Sequence, residues 1–223
     1  MGSAEIDTVK KELLITSRII TYGHAATAEV TEDIREEIET LWNEPAGSIL
    51  LDNQAFSVRF IITASCHPAL LPEEIFSNTD PCNNYFRIEA FSMNHISFVD
   101  GLGCNTGYFK LDNLYKGSTT AAHEYGHTLG LKHPRDLDLR GKGIPGIMYP
   151  RGTLVDPEFQ YNPAARSGDN TNGGTMHPRY RKVLPADITA LQLPKVSFKN
   201  GKAAIGDFTS LWHPDHADLK GNK

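Results

Sequence analysis

The sequence predicts an α/β fold, and three observations carry that expectation. Between residues 12 and 111 the hydrophobic pattern is mostly β-branched or alternating, and it switches once to helical spacing. A second helix, 118–130, opens on hydroxyl residues and closes on a glycine. Beyond it, 144–174 is full of Gly, Pro, Asn and Asp without sustained periodicity, so a loop-rich C-terminal subdomain is expected.

Taken in order, "ELLITSRIITYG" (12–23) is dense in β-branched residues and ends at a glycine, as a strand does. "TAEVTEDIREEIETLWNE" then places Val30, Ile34, Ile38, Leu41 and Trp42 at helical spacing, with acidic residues near its start where the helix dipole favours them, and stops before Pro45. "QAFSVRFIITASC" (54–66) and "YFRIEAF" (85–91) read as strands. "HISFV" (95–99) and "GYFKL" (107–111) read as shorter ones around a glycine-bearing turn. After the loop-rich region, "LPADITALQL" (184–193) restores a short helix with Asp187 near its start. Asn200-Gly201 is a type I′ turn signal between two short strands, so a terminal hairpin is expected.

Length and composition bound the remaining choices. A chain of 223 residues with 39% hydrophobic and 22% charged side chains buries a substantial core. With 22 basic against 27 acidic side chains and no long run of either sign, no nucleic-acid or anionic-membrane partner is expected. No apolar run reaches the roughly 20 residues of a membrane span. Cys66, Cys82 and Cys104 are too scattered for a zinc ribbon; Cys66 and Cys82 close a loop if oxidised, and otherwise all three are free thiols. The opening "MGS" reads as an expression remnant, which makes residues 1–11 a tail.

The stretch "HEYGHTLGLKH" carries chemistry. His123 and His127 are four apart on the expected helix, so both imidazoles leave one face and can share an ion. Gly130 can adopt the left-handed conformation that ends the helix, letting His133 return to the same point. Three neutral imidazoles leave one position open, as in a catalytic zinc site rather than a closed structural one. Glu124 sits about 100° round the helix from His123, placed to reach a water at the open position without ligating. His24, His67, His95, His177, His213 and His216 read as solvated or hydrogen-bonded histidines. "SGDNTNGGT" (167–175) is rich in oxygen ligands but lacks EF-hand spacing and nonapeptide repeats, so a structural Ca2+ is unsupported and a flexible loop is expected.

His-Glu-x-x-His-x-x-Gly-x-x-His resembles the zinc signature of the metzincin metallopeptidases. Fifteen residues after His133, Met148 lies within "GIMYP", which resembles their Met-turn in its matrixin wording. Trp42 and "DITALQL" fall where matrixin catalytic domains carry similar residues, whereas Pro134, directly after the third histidine, is similar to the serralysins. The stretch from "GIMYP" to "NGGT" also resembles, more weakly, metallopeptidase tips of Rhs-type polymorphic toxins.

The resemblance implies a metzincin-like (zincin) catalytic domain over 12–193 with a C-terminal hairpin and tail over 194–223. It implies a twisted, mainly parallel sheet backed by the first helix, an antiparallel edge strand near His95–Val99 and an active-site helix below. The implied function is a zinc-dependent endopeptidase with one zinc on His123, His127 and His133, and Glu124 as general base and then acid. Gly130 and Met148 would be structural at the site, and Tyr149 a substrate-pocket residue. A peptide or protein substrate, a monomer, and secretion or delivery out of the producing cell follow from it. Two alternatives stand beside this: a toxin or effector metallopeptidase held by an inhibitory or immunity protein, and a non-catalytic zinc-containing module that binds peptides.

Overall fold

The computed structural model describes residues 1–166 and 173–219. At its centre lies strand β2 (Glu12–Tyr22), paired along both edges, with most of its β-branched run buried. On one side β4 (Gln54–Cys66) runs parallel to it over its full length, and β3 (Ser48–Leu51) closes that end antiparallel. On the other side β1 (Gly2–Asp7) pairs antiparallel with the first half of β2, and β5 (Asn83–Glu89) pairs parallel with the second half. Next to β5 lies β7 (Thr106–Lys110), parallel, and then the two-residue β6 (Phe98–Val99), antiparallel and at the sheet's end. The fold is mixed α/β with a curled, mostly parallel sheet.

Helix α1 (Ala28–Asn43) starts where the Thr27 hydroxyl accepts the Val30 N–H at 3.2 Å. It lays Ile34, Ile38 and Trp42 on the sheet, each worth about 1.5–3 kcal/mol of transfer free energy. Trp42 also fixes the next helix, α3 (Thr120–Thr128): its indole Nε1–H donates to the Ala122 carbonyl at 3.1 Å, and its ring meets Tyr125 edge-on at 5.8 Å. Tyr125 reaches past it to hydrogen-bond Ser17 of β2 at 2.8 Å. The helix expected to carry the chemistry is thus bolted to both α1 and the sheet. Two short helices complete the set, α2 (Pro72–Phe76) and α4 (Pro185–Ala190).

Several expectations change. Residues 2–7 are strand β1, not a tail, because Ala4 and Ile6 alternate onto the core face. The "HISFV" strand shrinks to Phe98–Val99, since His95 takes a left-handed φ of 56° that breaks the extended run; β6 is nonetheless the sheet edge. Asn200 and Gly201 form the turn with φ of 51° and 75°. However, β8 (Lys202–Ile205) pairs chiefly with β1, bringing the two ends of the sequence together in place of a separate hairpin. Of the stretch 167–175, expected as a flexible loop, positions 167–172 lie outside the described residues. The three cysteines are free thiols.

Candidate metal centre

Helix α3 is entered through Thr119 at φ 57°, with no side-chain cap from that residue. Its first amides are met from elsewhere: Ser118 Oγ accepts the Thr120 N–H at 3.2 Å, and the Glu37 carboxylate of α1 accepts the Ala122 N–H at 3.1 Å. Burial raises the Glu37 carboxyl above the usual range, while the helix amides and the Arg181 charge hold it back. At the other end Gly130 is left-handed at φ 91°, and Leu131 N–H returns to Gly126 O at 3.0 Å. A side chain at Gly130 would touch nothing, so conformation alone asks for glycine there.

That reversal brings His133 back over the helix. Its Nε2 lies 3.1 Å from Nε2 of His123 and 3.1 Å from Nε2 of His127. The far nitrogens define the tautomers: His123 Nδ1–H donates to Ile147 O at 2.7 Å and His127 Nδ1–H to Leu131 O at 2.7 Å. Both Nε2 atoms therefore turn lone pairs toward a common point beside His133 Nε2. A tetrahedral ion with metal–nitrogen bonds of about 2.0–2.1 Å needs ligand nitrogens roughly 3.3 Å apart, so the donor set fits zinc. Burial lowers the basicity of all three imidazoles, most deeply for His123, and keeps them in the neutral, ligating form. His123 is buried, His127 half-buried and His133 exposed, which opens the cluster to one side.

Glu124 is 7% exposed and faces the same cavity as His123 and His133. Burial pushes its carboxyl up to about 8, against the pull of the Arg181 charge and of a hydrogen bond from the Val99 N–H. Edge strand β6 thus meets the acid of the helix directly. Met148 is 3% exposed within a turn closed by Tyr149 N–H to Gly146 O at 3.2 Å. Its sulfur packs so tightly on Gly126 that a Cβ there would collide with it. The preceding residue, Ile147, supplies the carbonyl that orients His123, and its own N–H is held by Asp187 of α4. Tyr149 is not among the residues lining the cavity; its side chain packs beside Leu139, Val155 and Met176.

Four residues here are ones the sequence reading did not single out. Gly126 carried a local signal, a glycine inside a helix where it costs about 1 kcal/mol against alanine. Glu37 and the arginines Arg151 and Arg181, which stand beside Glu124 in the cavity wall, carried none. Arg181 is 4% exposed, and burial brings its guanidinium down to about 10, the nearby Glu124 charge opposing.

A second group, His24, Glu89 and Asp215, also brings its ligand atoms together. Glu89 is already engaged by Arg87 at 2.6 and 2.8 Å, and His24 Nδ1 by Asp215 at 3.1 Å. This group clasps the C-terminal segment to the sheet. His213 bonds Asp100 at 2.9 Å and His216 stacks on Tyr108 at 3.8 Å, so these are hydrogen-bonded or packed histidines as expected.

Fold and site define a mixed α/β protein with a three-histidine candidate metal centre and an adjacent buried glutamate. No family model matches the chain. Serralysin G of Dickeya chrysanthemi is similar to it, 35% identical over 97 residues, which are 44% of this chain and 19% of that protein. The chain thus spans about a fifth of the relative's length. The likeness supports a relationship to metalloproteases. Among the described residues no helix is long and apolar enough to cross a membrane.

Proposed function

We propose that this protein is a zinc-dependent endopeptidase of metzincin type. The observation that carries the reading is the convergence of three imidazole nitrogens, two with their far N–H groups tied to backbone carbonyls, beside a buried glutamate in one cavity. His123, His127 and His133 would hold the ion. Zinc, when bound, supplies Lewis-acid activation of water and of the scissile carbonyl.

The chain's own groups do the rest. Glu124 is a buried carboxylate in the same cavity as the ligating imidazoles, placed to accept a proton as a general base does. It takes the proton of the attacking water and hands it to the departing amine, serving as base and then as acid. The Ile147 carbonyl holds His123 in the tautomer that leaves Nε2 free, and Met148 on Gly126 fixes the height of that carbonyl. An extended peptide adds antiparallel along the edge near β6, which lies against the cavity through Val99 and Glu124. The likeness to serralysin extends the reading to action outside the producing cell.

The test is zinc content and casein hydrolysis in the wild type and in His133→Ala. The expected result is one zinc per chain and cleavage in the wild type, both lost in the variant. Full zinc content and full activity in His133→Ala would refute the assignment.

A further inference from the structure

The cavity over the histidines, about 210 Å³, has a wall of unusual charge for a chain with a net charge of −5. Arg151 and Arg181 both line it, and among the described residues Glu124 is its only carboxylate. Neither arginine has a carboxylate within ion-pair distance among the described residues. Arg151 is exposed and, among the described residues, reaches only the neutral Asn113 amide oxygen, at 3.1 Å.

Arg181 is the more telling of the two. It is 4% exposed, and its guanidinium donates to three neutral oxygens: Thr119 Oγ1 at 2.9 Å, Tyr149 O at 3.3 Å and Ser118 O at 3.4 Å. Three of its five N–H donors are used, one on each nitrogen, leaving one on each Nη. The Glu124 and Glu37 charges act on it only from beyond contact distance, so no carboxylate occupies its free N–H groups, and a buried cation is best completed by an anion in direct hydrogen-bond contact. Thr120 Oγ1 adds an independent sign: it is buried in the same wall and has no hydrogen-bond partner among the described residues. Two guanidinium groups without a contacting carboxylate and an orphaned hydroxyl around one cavity are the donor set of a carboxylate site.

We propose that this cavity is a specificity pocket that takes an acidic side chain, Asp or Glu, immediately flanking the scissile bond. The inference rests on the peptidase reading above and names its substrate class. Arg151, at the solvent side, meets the incoming carboxylate; Arg181 and Thr120, at the back, complete its hydrogen bonds.

Two measurements test it. Cleavage of a degenerate peptide library by the zinc-loaded wild type should show Asp or Glu beside the cut. A pair of peptides differing only by Glu or Gln at that position should then differ about tenfold or more in kcat/KM. Arg151→Glu, a change at an exposed position, should invert the preference toward Lys. Separately, fluorescence anisotropy with Glu124→Gln, which binds without cutting, should show the Glu form of a labelled short peptide binding about tenfold more tightly than its Gln form. Equal cleavage or binding of the Glu and Gln peptides, or an unchanged ratio in Arg151→Glu, would overturn the pocket assignment. If the library is left uncut while the anisotropy difference stands, the hydrolytic reading fails and the acidic pocket survives.

Discussion

Replacing Gly126 by alanine would ordinarily stabilise a helix, by about 0.8–1 kcal/mol. Here the opposite is expected. The new Cβ would run into the Met148 sulfur and lie 3.2 Å from both Met148 Cε and Trp42 Cζ2. Both neighbours are buried, Met148 at 3% exposure and Trp42 at 0%, and Trp42 is further held by its bond to Ala122 O. Overpacking of this kind costs about 1–3 kcal/mol. Set against the propensity gain, the helix increment is cancelled and the net change is a loss of up to about 2 kcal/mol, or a drop in Tm of up to about 8 °C for a chain of this size.

The same clash acts on the site. Displacing Met148 shifts the Ile147 carbonyl that orients His123, and support groups of this sort are typically worth about 10- to 100-fold in metal affinity. Urea unfolding would measure the stability, and zinc competition against a chromophoric chelator the affinity. Removing the Met148 side chain as well should relieve the clash, giving a coupling of about 1 kcal/mol or more in a double-mutant cycle. A Gly126→Ala protein stabilised by the full helix increment, with unaltered zinc affinity, would refute the argument.

Two further expectations concern stability. In metal-free protein the Glu124 carboxyl, raised to about 8 from the usual 4.5, makes the folded state bind more protons than the unfolded between those values, so stability falls as pH rises from 4.5 to 8. Glu124→Gln should remove that slope, matching the wild type below pH 4.5 and exceeding it by roughly 3 kcal/mol at pH 7 in urea unfolding; equal stabilities across the window would contradict it. Trp42→Phe removes the indole bond to Ala122 O, so a loss of about 0.5–1.5 kcal/mol is expected by thermal unfolding, and no change would show that α3 is held by other contacts.

Local periodicity made β2, α1, β4 and β7 legible, because each buries a face whose spacing is written in consecutive residues. Strand β1 was not, since "GSAEID" is short and half polar, and its second partner β8 lies at the other end of the sequence. The curtailment of β6 depended on one backbone angle at His95 that no pattern announces. At the site, His123, His127 and His133 were readable because helical pitch and one glycine fix where their rings go. The direction of Tyr149 was not, because its neighbours Leu139, Val155 and Met176 come from separate loops. Arg181 and Glu37 were invisible for the same reason, as each meets partners on separate elements, Arg181 at Thr119 and Tyr149 and Glu37 at Ala122.

The central claim, that three histidines and Glu124 form one hydrolytic centre, is met most directly by Glu124→Gln loaded with zinc and assayed on casein. The side chain keeps its size and still accepts the Val99 N–H, while it can no longer take a proton from water. The account predicts one zinc per chain, an unchanged fold, and hydrolysis reduced toward the upper end of the 10²- to 10⁴-fold range of general-base catalysis, about 10⁴-fold. Cleavage of casein at the wild-type rate by the zinc-loaded variant would contradict it.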